Sequence, residues 1–492
     1  MELRELLAGA DVVEVKGDPD VEVQGLAYDS RRVEPGTLFF CVPGHTSDGH
    51  AFAPLAVQAG ASALVVERPL ELDVPATQAV VGDARAAMAH AAVRFYGDPT
   101  AELRVVGITG TNGKTTTAFL VRHLLEAAGV QTGLLGTVKR IVGGVEEEVE
   151  RTTPEAIDLQ ATFRRMLAGG DQACAMEVSS HALALRRSDG VRYAVAAFTN
   201  LTQDHLDFHA DMEDYFQAKR RLFVADVADR AVLNLDDAYG ERLVAEFDAV
   251  TFSAEGDPRA DYRALDVVFD AAGSRFLCRH PGGEVEVSTS LPGQFNVANS
   301  LAAIAIVAEL GLEVQAAARA FASAERVPGR FEPVDEGQPF AVLVDYAHTP
   351  DSLSNVLRAA REVTDGRLIA VFGCGGDRDR DKRPLMGEIA ARLSDGCIVT
   401  SDNPRSEEPR AIIDEILEGI PGDAQAEVEV EPDRTAAIAA ALDAAQPSDT
   451  VVIAGKGHEQ GQEFEGGRKL PFDDRDVARQ ELRRLAAPAR GA

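Results

Sequence analysis

LRVVGITGTNGKTTTAFLVRHLLEAAG, residues 103–129, reads in three parts. Leu103 to Thr109 is a short apolar run of the kind that a strand buried on both faces needs. Gly110-Thr111-Asn112-Gly113-Lys114-Thr115-Thr116 follows, and then Leu120, Leu124 and Ala127 fall on one helix face, with Gly129 placed as a C-cap. Strand, glycine loop and helix together turn backbone N–H groups toward phosphate oxygens at the positive end of a helix. Lys114 is placed to bridge the terminal phosphates, and the Thr115 hydroxyl to hold Mg²⁺. The spacing departs from strict GxxxxGK[ST]: Ile108 stands at the first glycine position, with Gly107 one residue earlier. A glycine turn with an incidental lysine is the bland alternative, and the correct flanking elements weigh against it. The loop by itself says nucleotide; it does not separate kinase, ATPase and ligase.

Outward from this loop, short apolar runs alternate with helical-period segments almost throughout, which predicts α/β layers with largely parallel sheets. Breaks at GDPT (97–100) and at VPGRFEPVDEGQP from 327 divide the chain into 1–99, 100–331 and 332–492. At 492 residues the chain is too long for one ordinary core, and three domains are expected. The formal charge of -31 argues against nucleic acid or an anionic membrane as main partner. Five scattered cysteines without a Cys-x-x-Cys pair suggest neither a disulfide framework nor structural zinc. With no signal-peptide core and no apolar stretch of membrane length, a soluble cytoplasmic protein is expected.

Two further strand-like runs end in polar clusters. CAMEVSSH carries Glu177, Ser179, Ser180 and His181; AVAAFTNLTQDHLDFH carries Asn200, Asp204, His205, Asp207 and His209. In a parallel sheet the strand C-termini gather on one edge, so Glu177 and His205 are expected beside the same Mg²⁺–phosphate cluster as Thr115. Each residue taken singly is more often a hydrogen-bonded loop residue than a ligand. Lys219, in DYFQAKRRLF, lies in a basic helical run that would ordinarily be a solvated face, and its spacing assigns it no role.

In the last third, four runs end in glycine- or proline-bearing loops: FAVLVDYAHTPDSL, RLIAVFGCGGDRDRDKRP, CIVTSDNPRSEEP and DTVVIAGKGHE. They read as one composite site lined by Asp345, His348, Arg378, Arg383, Asp402, Asn403, Arg405, Lys456, His458 and Glu459. Both signs of charge suit an amino acid, because each desolvated charge needs an opposite partner. GCGG as a second phosphate or dinucleotide loop is the weaker alternative, since GxGxxG is absent.

Read in order, GTNGKTT, EVSSH, TNLTQDHLDFH, AKRRLF and DYAHTPDSL, together with YDSRRVEPGTLFFCVPG and DNPR, resemble the Mur ligases over essentially the whole chain. The resemblance implies three α/β domains: an N-terminal one holding the UDP end of the substrate, a central P-loop ATPase, and a C-terminal dinucleotide-fold-like domain for the incoming amino acid. It implies that Gly110, Thr111, Asn112, Gly113, Lys114, Thr115 and Thr116 hold ATP, with Asn299 at the base and Arg330 and Asp345 also approaching the nucleotide. Thr115, Glu177 and His205 would serve magnesium, and Lys219 would be carried as a carbamate. Ser30 and His45-Thr46-Ser47 would hold the uridine end of UDP-MurNAc-L-Ala-D-Glu, and Thr152, Thr153, Ser179 and Arg187 its muramoyl-dipeptide end. Two departures fall here: Leu185 where some members have a polar residue, and Arg151 where some have asparagine.

Asp402-Asn403-Pro404-Arg405 is the motif that the family associates with diaminopimelate, completed by Arg378, Gly455 and Glu459. Physically, an arginine fork can bind the second carboxylate that diaminopimelate has and lysine lacks, while Glu459 can accept the distal ammonium. The implied reaction runs through an acyl phosphate made at Lys114 and magnesium, with closure of the C-terminal domain, in a monomer. A lysine-adding member, a folylpolyglutamate-type ligase and, in another class, a P-loop kinase or switch ATPase are the competing readings.

Overall fold

Two units gather the residues that the computed structural model describes, 1–44, 47–149, 151–270 and 272–486. The first comprises Met1–Thr109, Gly129–Ala196 and Ala218–Ala231. Its five-stranded sheet has the order Val12–Lys16, Thr77–Val81, Ala63–Val66, Thr37–Phe40, Gly25–Ala27, antiparallel at the first pairing and parallel thereafter. Side chains alternate across it as a strand requires. Leu38, Phe40, Val65 and Val81 pack with Ala87, Met88 and Ala91 of helix Ala84–Tyr96. Phe39, Leu64 and Val66 face Ala53 and Ala56 on the other side. The same unit holds strand Arg104–Thr109 paired in parallel with Ala173–Glu177, which pairs in parallel with Thr132–Leu135. All three are buried along nearly their whole length, which accounts for continuous apolar runs rather than alternation.

The second unit comprises Gly110–Ala128, Ala197–Gln217 and Val232–Ala492. Helix Lys114–Ala127 begins directly after the glycine loop and packs on helix Gln294–Glu309. Its buried face is Leu120, Val121, Leu124 and Leu125, whereas Ala127, expected on that face, is exposed. The helix ends there, so the periodicity no longer governs that position. Helix Gln294–Glu309 is apolar nearly all round and correspondingly buried.

Antiparallel strands extend the largely parallel central sheet at both edges, with Arg140–Val142 and Val145–Glu147 on one side. Tyr262–Asp270, Gly273–His280 and Gly283–Thr289 form an antiparallel meander. Their burial alternates in and out along Tyr262–Asp270 and Gly273–His280, as suits a sheet with one face on the core and one in solvent.

The last third forms a six-stranded sheet ordered Glu332–Pro333, Ala341–Asp345, Thr450–Ala454, Leu368–Phe372, Gly396–Val399, Glu427–Val430, parallel except at its first pairing. Apolar clusters cover both faces. The consequence for function is that Asp345, Phe372, Val399 and Ala454 all end at one edge, where the four polar loops begin. Among the described residues no helix is long and apolar enough to cross a membrane.

Candidate active site

The glycine loop takes a shape that only glycine tolerates at two points. Gly110 has φ +150, and a Cβ there would land on the Thr199 hydroxyl; Gly113 has φ +85, with Asn299 Oδ1 where a Cβ would go. The loop is braced from the next strand end: Thr111 N–H donates to Asn200 O at 2.9 Å, Asn112 N–H to Asn200 Oδ1 at 2.9 Å, and the Thr199 hydroxyl to Asn112 O at 2.6 Å. Lys114 Nζ folds back onto its own loop, donating to Gly110 O at 2.9 Å and Thr111 O at 2.8 Å, so it stands within the loop at which phosphates are expected. Thr115 and Thr116 are buried in the first helical turn.

Residues far along the chain meet this loop. Arg330 Nη2 donates to Thr115 Oγ1 at 3.0 Å, which already brings a cation to the hydroxyl expected to serve magnesium. Asn112 Nδ2 donates to Asp351 Oδ2 at 2.8 Å. Asn299 is buried behind the loop, accepting from the Thr117 hydroxyl at 3.4 Å. Arg330 lies over the Tyr346 ring, 4.6 Å from its centroid, and Asp345 accepts from Phe331 N–H at 2.7 Å. Burial pushes the Asp345 carboxyl up to about 6, although Arg330 and two backbone N–H groups pull it back.

His205 sits in left-handed backbone at φ +58, where a non-glycine residue is uncommon. Its Nε2 is 3.3 Å from Asp204 Oδ2. Asp204 is buried, and it also faces Lys382 Nζ at 3.7 Å and His348 Nε2 at 3.8 Å. Burial alone would raise this carboxyl; Lys382, the neighbouring imidazoles of His205 and His348 and the His205 N–H outweigh it and hold the pKa well below the usual range.

In the first unit, Glu177 ends its strand almost fully buried. Its Oε1 accepts from Thr137 N–H at 2.7 Å and its Oε2 from the Thr137 hydroxyl at 3.2 Å. Thr137 Oγ1 is 3.0 Å from Thr152 Oγ1, and the Thr153 hydroxyl donates to Glu177 O at 2.9 Å. Ser179 N–H donates to Thr153 Oγ1 at 3.2 Å, while its side chain caps the following helix by accepting from Ala182 N–H. The expected Thr152, Thr153, Ser179 and Glu177 therefore do come together, with Thr137 as a member that sequence reading missed. Its signal was available: Thr137 lies just past the end of strand Thr132–Leu135, like the others. Lys219, whose basic run suggested a solvated face, is 1% exposed, with Nζ 3.5 Å from Thr109 Oγ1 at the end of strand Arg104–Thr109.

The two departures acquire a physical context. Glu155, 5% exposed, pairs with three guanidinium groups: Arg85 at 3.1 Å, Arg151 at 2.9 Å and Arg187 at 2.9 Å. Burial, and then the charges of Arg151 and Arg85, lower the Arg187 pKa in spite of Glu155. Arg85 also donates to the carbonyl of Leu185 at 3.5 Å. Three cations on one carboxylate leave an excess of positive charge suited to an anionic group, and Arg151 adds to it where asparagine would not. In the same unit, Ser30 opens a single helical turn, capped by Asp29, whose Arg32 pairs with Asp158 at 2.9 Å, and the exposed Ser47 accepts from Gly44 N–H through its carbonyl. His45 and Thr46 lie outside the described residues.

The strand-end loops of the last third hold the expected mixed charges, with three changes of role. Arg383 does not line the site: it is fully buried, and Glu407 and Glu415 neutralise it at 2.8 Å each. Arg405, at φ +51, is not a waiting fork, because its Nε donates to Glu463 Oε2 at 2.9 Å and its Nη1 to Gly376 O at 2.7 Å. Glu459 already accepts from Lys456 at 3.1 Å, Asn403 at 3.0 Å and the Tyr346 hydroxyl at 3.3 Å. Asp402 and Asn403 are buried, the Pro404 carbonyl packs on Gly376, and Gly455 adopts φ +124 beside Asp402. Arg378 remains exposed, donating only to the carbonyl of Asp377 among the contacts described. The pairs form because spacing along the chain reveals which charges occur and leaves open which neutralise each other.

Comparison with known proteins finds relatives along essentially the whole chain. Family models described as the Mur ligase family catalytic domain, the Mur ligase middle domain and the Mur ligase glutamate ligase domain match residues 22–100, 108–307 and 329–457. A Streptomyces coelicolor protein named UDP-N-acetylmuramoyl-L-alanyl-D-glutamate–2,6-diaminopimelate ligase is 49% identical over 478 residues, covering 95% of this chain and 94% of its own. One of the same name from Syntrophomonas wolfei is 46% identical, covering 98% and 99%. A solved structure so named superposes with a TM-score of 0.69 at 32% identity, covering 99% of this chain and 100% of that one.

Proposed function

The chain belongs to the Mur ligase family, and on that premise we propose that it joins diaminopimelate to the D-glutamate of UDP-MurNAc-L-Ala-D-Glu, using ATP, in peptidoglycan precursor synthesis. A side-chain carboxylate oxygen of the D-glutamate attacks the γ-phosphorus, the bond to ADP breaks, and an acyl phosphate forms. The diaminopimelate amine then attacks the acyl carbon, loses a proton, and phosphate departs as the peptide bond closes. Lys114 turns from the loop carbonyls to the phosphates, where its charge offsets the negative charge building on the transferring group.

Thr115, Glu177 and His205 are the proposed magnesium ligands. Their oxygen-rich donors suit that ion, and Glu177 is pre-oriented by Thr137. When bound, magnesium would neutralise phosphate charge. Lys219 as a carbamate would exchange a buried cation for an anion, which fits a lysine held 1% exposed beside the last residue of strand Arg104–Thr109. Ser30, His45, Thr46 and Ser47 are assigned to the uridine end, and Thr152, Thr153, Ser179 and Arg187 to the muramoyl dipeptide. Asn299, Arg330 and Asp345 are assigned to ATP. Arg378, Asp402, Asn403, Pro404, Arg405, Gly455 and Glu459 are assigned to diaminopimelate.

The observation that carries the amino-acid choice is the loop Asp402–Arg405, which carries a guanidinium on Arg405 and, through Asn403, holds the Glu459 carboxylate. To bind, the distal carboxylate must replace Glu463 on Arg405, an exchange of one carboxylate for another that keeps the guanidinium paired. Peptide-bond formation and phosphate release are to be measured with UDP-MurNAc-L-Ala-D-Glu and meso-diaminopimelate, LL-diaminopimelate or L-lysine. Diaminopimelate is expected to be preferred over lysine; a preference for lysine would remove the specificity, and phosphate release independent of both substrates would remove the ligase.

A further inference from the structure

Lys456 is fully buried, yet it ends among three polar groups rather than in solvent. Its Nζ donates to Asp402 Oδ1 at 3.3 Å, Asn403 Oδ1 at 2.9 Å and Glu459 Oε2 at 3.1 Å. Three donors on an ammonium meet three acceptors, the full complement that makes a buried lysine tolerable. The backbone is bent to achieve this: Gly455 and Gly457 on either side have φ +124 and +54.

Two of the three acceptors, Asn403 and Glu459, lead on to residues assigned to the amino acid. Asn403 Oδ1 also accepts from Glu463 N–H at 2.9 Å, and Glu463 in turn accepts from Arg405 through its carbonyl at 3.1 Å and its carboxylate at 2.9 Å. Asn403 Nδ2 donates to the same Glu459 oxygen that Lys456 holds, at 3.0 Å. One ammonium thus ties the Glu459 carboxylate directly, and the Arg405 guanidinium through Asn403 and Glu463. Two cations, Lys456 and the Asp474-paired Arg434, face three carboxylates, Asp402, Glu459 and Asp474, so one negative charge is left over beside Glu459. That excess is what a substrate ammonium requires, while the Arg405 guanidinium lies on the far side of the Asn403–Glu463 link.

We propose that Lys456 is the positioning residue that sets the separation of Glu459 and Arg405, and so fits the pocket to an amino acid carrying both an ammonium and a carboxylate on its distal carbon; this rests on the ligase reading above. Lys456 Nζ reaches only protein acceptors among the contacts described. Losing it frees Glu459 and releases Asn403, so the substrate must order both on binding.

The test uses the full chain with Lys456→Met and Lys456→Arg, measuring kcat and KM for diaminopimelate, L-lysine, ATP and the UDP precursor. In the methionine variant the KM for diaminopimelate is expected to rise about 10–100-fold, the scale of hydrogen bonds to charged groups. The KM values for ATP and precursor should stay within about twofold, and the preference for diaminopimelate over lysine should narrow. The arginine variant, a cation of different shape, is expected to fall between. Diaminopimelate KM unchanged in both variants, or kcat falling with every KM unchanged, overturns the proposal. If only the arginine variant folds, its diaminopimelate KM alone decides. A wild-type chain that prefers lysine sinks the diaminopimelate reading and this proposal with it; a wild type that prefers diaminopimelate, with its KM unchanged in the variants, sinks this proposal alone.

Discussion

Arg434 and Asp474 form a pair with no exposed side-chain surface, and replacing Asp474 by asparagine measures what that pair does. Arg434 Nε and Nη2 each reach one carboxylate oxygen at 2.8 Å, Nη2 also donates to Ala454 O at 3.0 Å, and Nη1 to Ser401 O at 3.4 Å. Those two carbonyls directly precede Gly455 and Asp402, so the pair pins two strand ends that carry the amino-acid loops. Burial works against the guanidinium charge, yet Asp474 overcomes it and holds the Arg434 pKa above its usual value. Two charges about 4 Å apart at an effective dielectric near 20 attract by about 4 kcal/mol. Breaking a buried pair from one side costs about 3–5 kcal/mol, because the remaining charge is stranded. Asparagine retains one acceptor, which places Asp474→Asn near about 3 kcal/mol. In a chain of several domains a single global unfolding energy is ill defined, so the assay is amide hydrogen exchange of residues 434–444 and 450–454. Exchange there is expected to quicken about 100-fold, since about 1.4 kcal/mol corresponds to a factor of ten. The double variant Arg434→Met, Asp474→Leu should recover most of the protection, because no charge is left buried. Asp474→Asn within about threefold of wild type, or a double variant no better than the single one, would refute the reasoning.

Gly110→Ala must adopt φ +150 and press a methyl group against the Thr199 hydroxyl, so ADP affinity measured by calorimetry should fall at least about tenfold, the scale of 1–3 kcal/mol of strain; unchanged affinity would exclude this loop as the phosphate cradle. Asp345 has a folded-state pKa of about 6, above the unfolded value near 4, so its neutral form favours the fold and that contribution is lost as pH rises through about 6. Asp345→Asn should therefore protect its strand relative to wild type between pH 4.5 and 7, by up to about 3 kcal/mol in amide hydrogen exchange of residues 341–345, and exchange with no pH-dependent difference between the two proteins would contradict the assignment.

The strand, loop and helix around Lys114 were legible in the sequence because their causes are local. A continuous apolar run buries a strand, glycines permit positive φ, and an apolar face sets a helix. The polar loops of the last third were legible for the same reason, since strands and their ends follow from periodicity. The meander from Tyr262 to Thr289 was also written in local alternation, and the broader α/β expectation obscured it.

What only the tertiary structure decided is which charge meets which. The sequence determined that Arg383, Arg405, Glu459, Lys456 and Lys219 are present and lie near strand ends or helices. Folding decided that Arg383 is spent on Glu407 and Glu415, that Arg405 rests on Glu463, and that Lys456 unites Asp402, Asn403 and Glu459. It also decided that Lys219 is buried. Apart from Lys456 and Glu459, which are three residues apart, these partners stand tens of residues apart in the chain, and electrostatic pairing depends on distance through space and on desolvation, neither of which exists until the sheets are assembled.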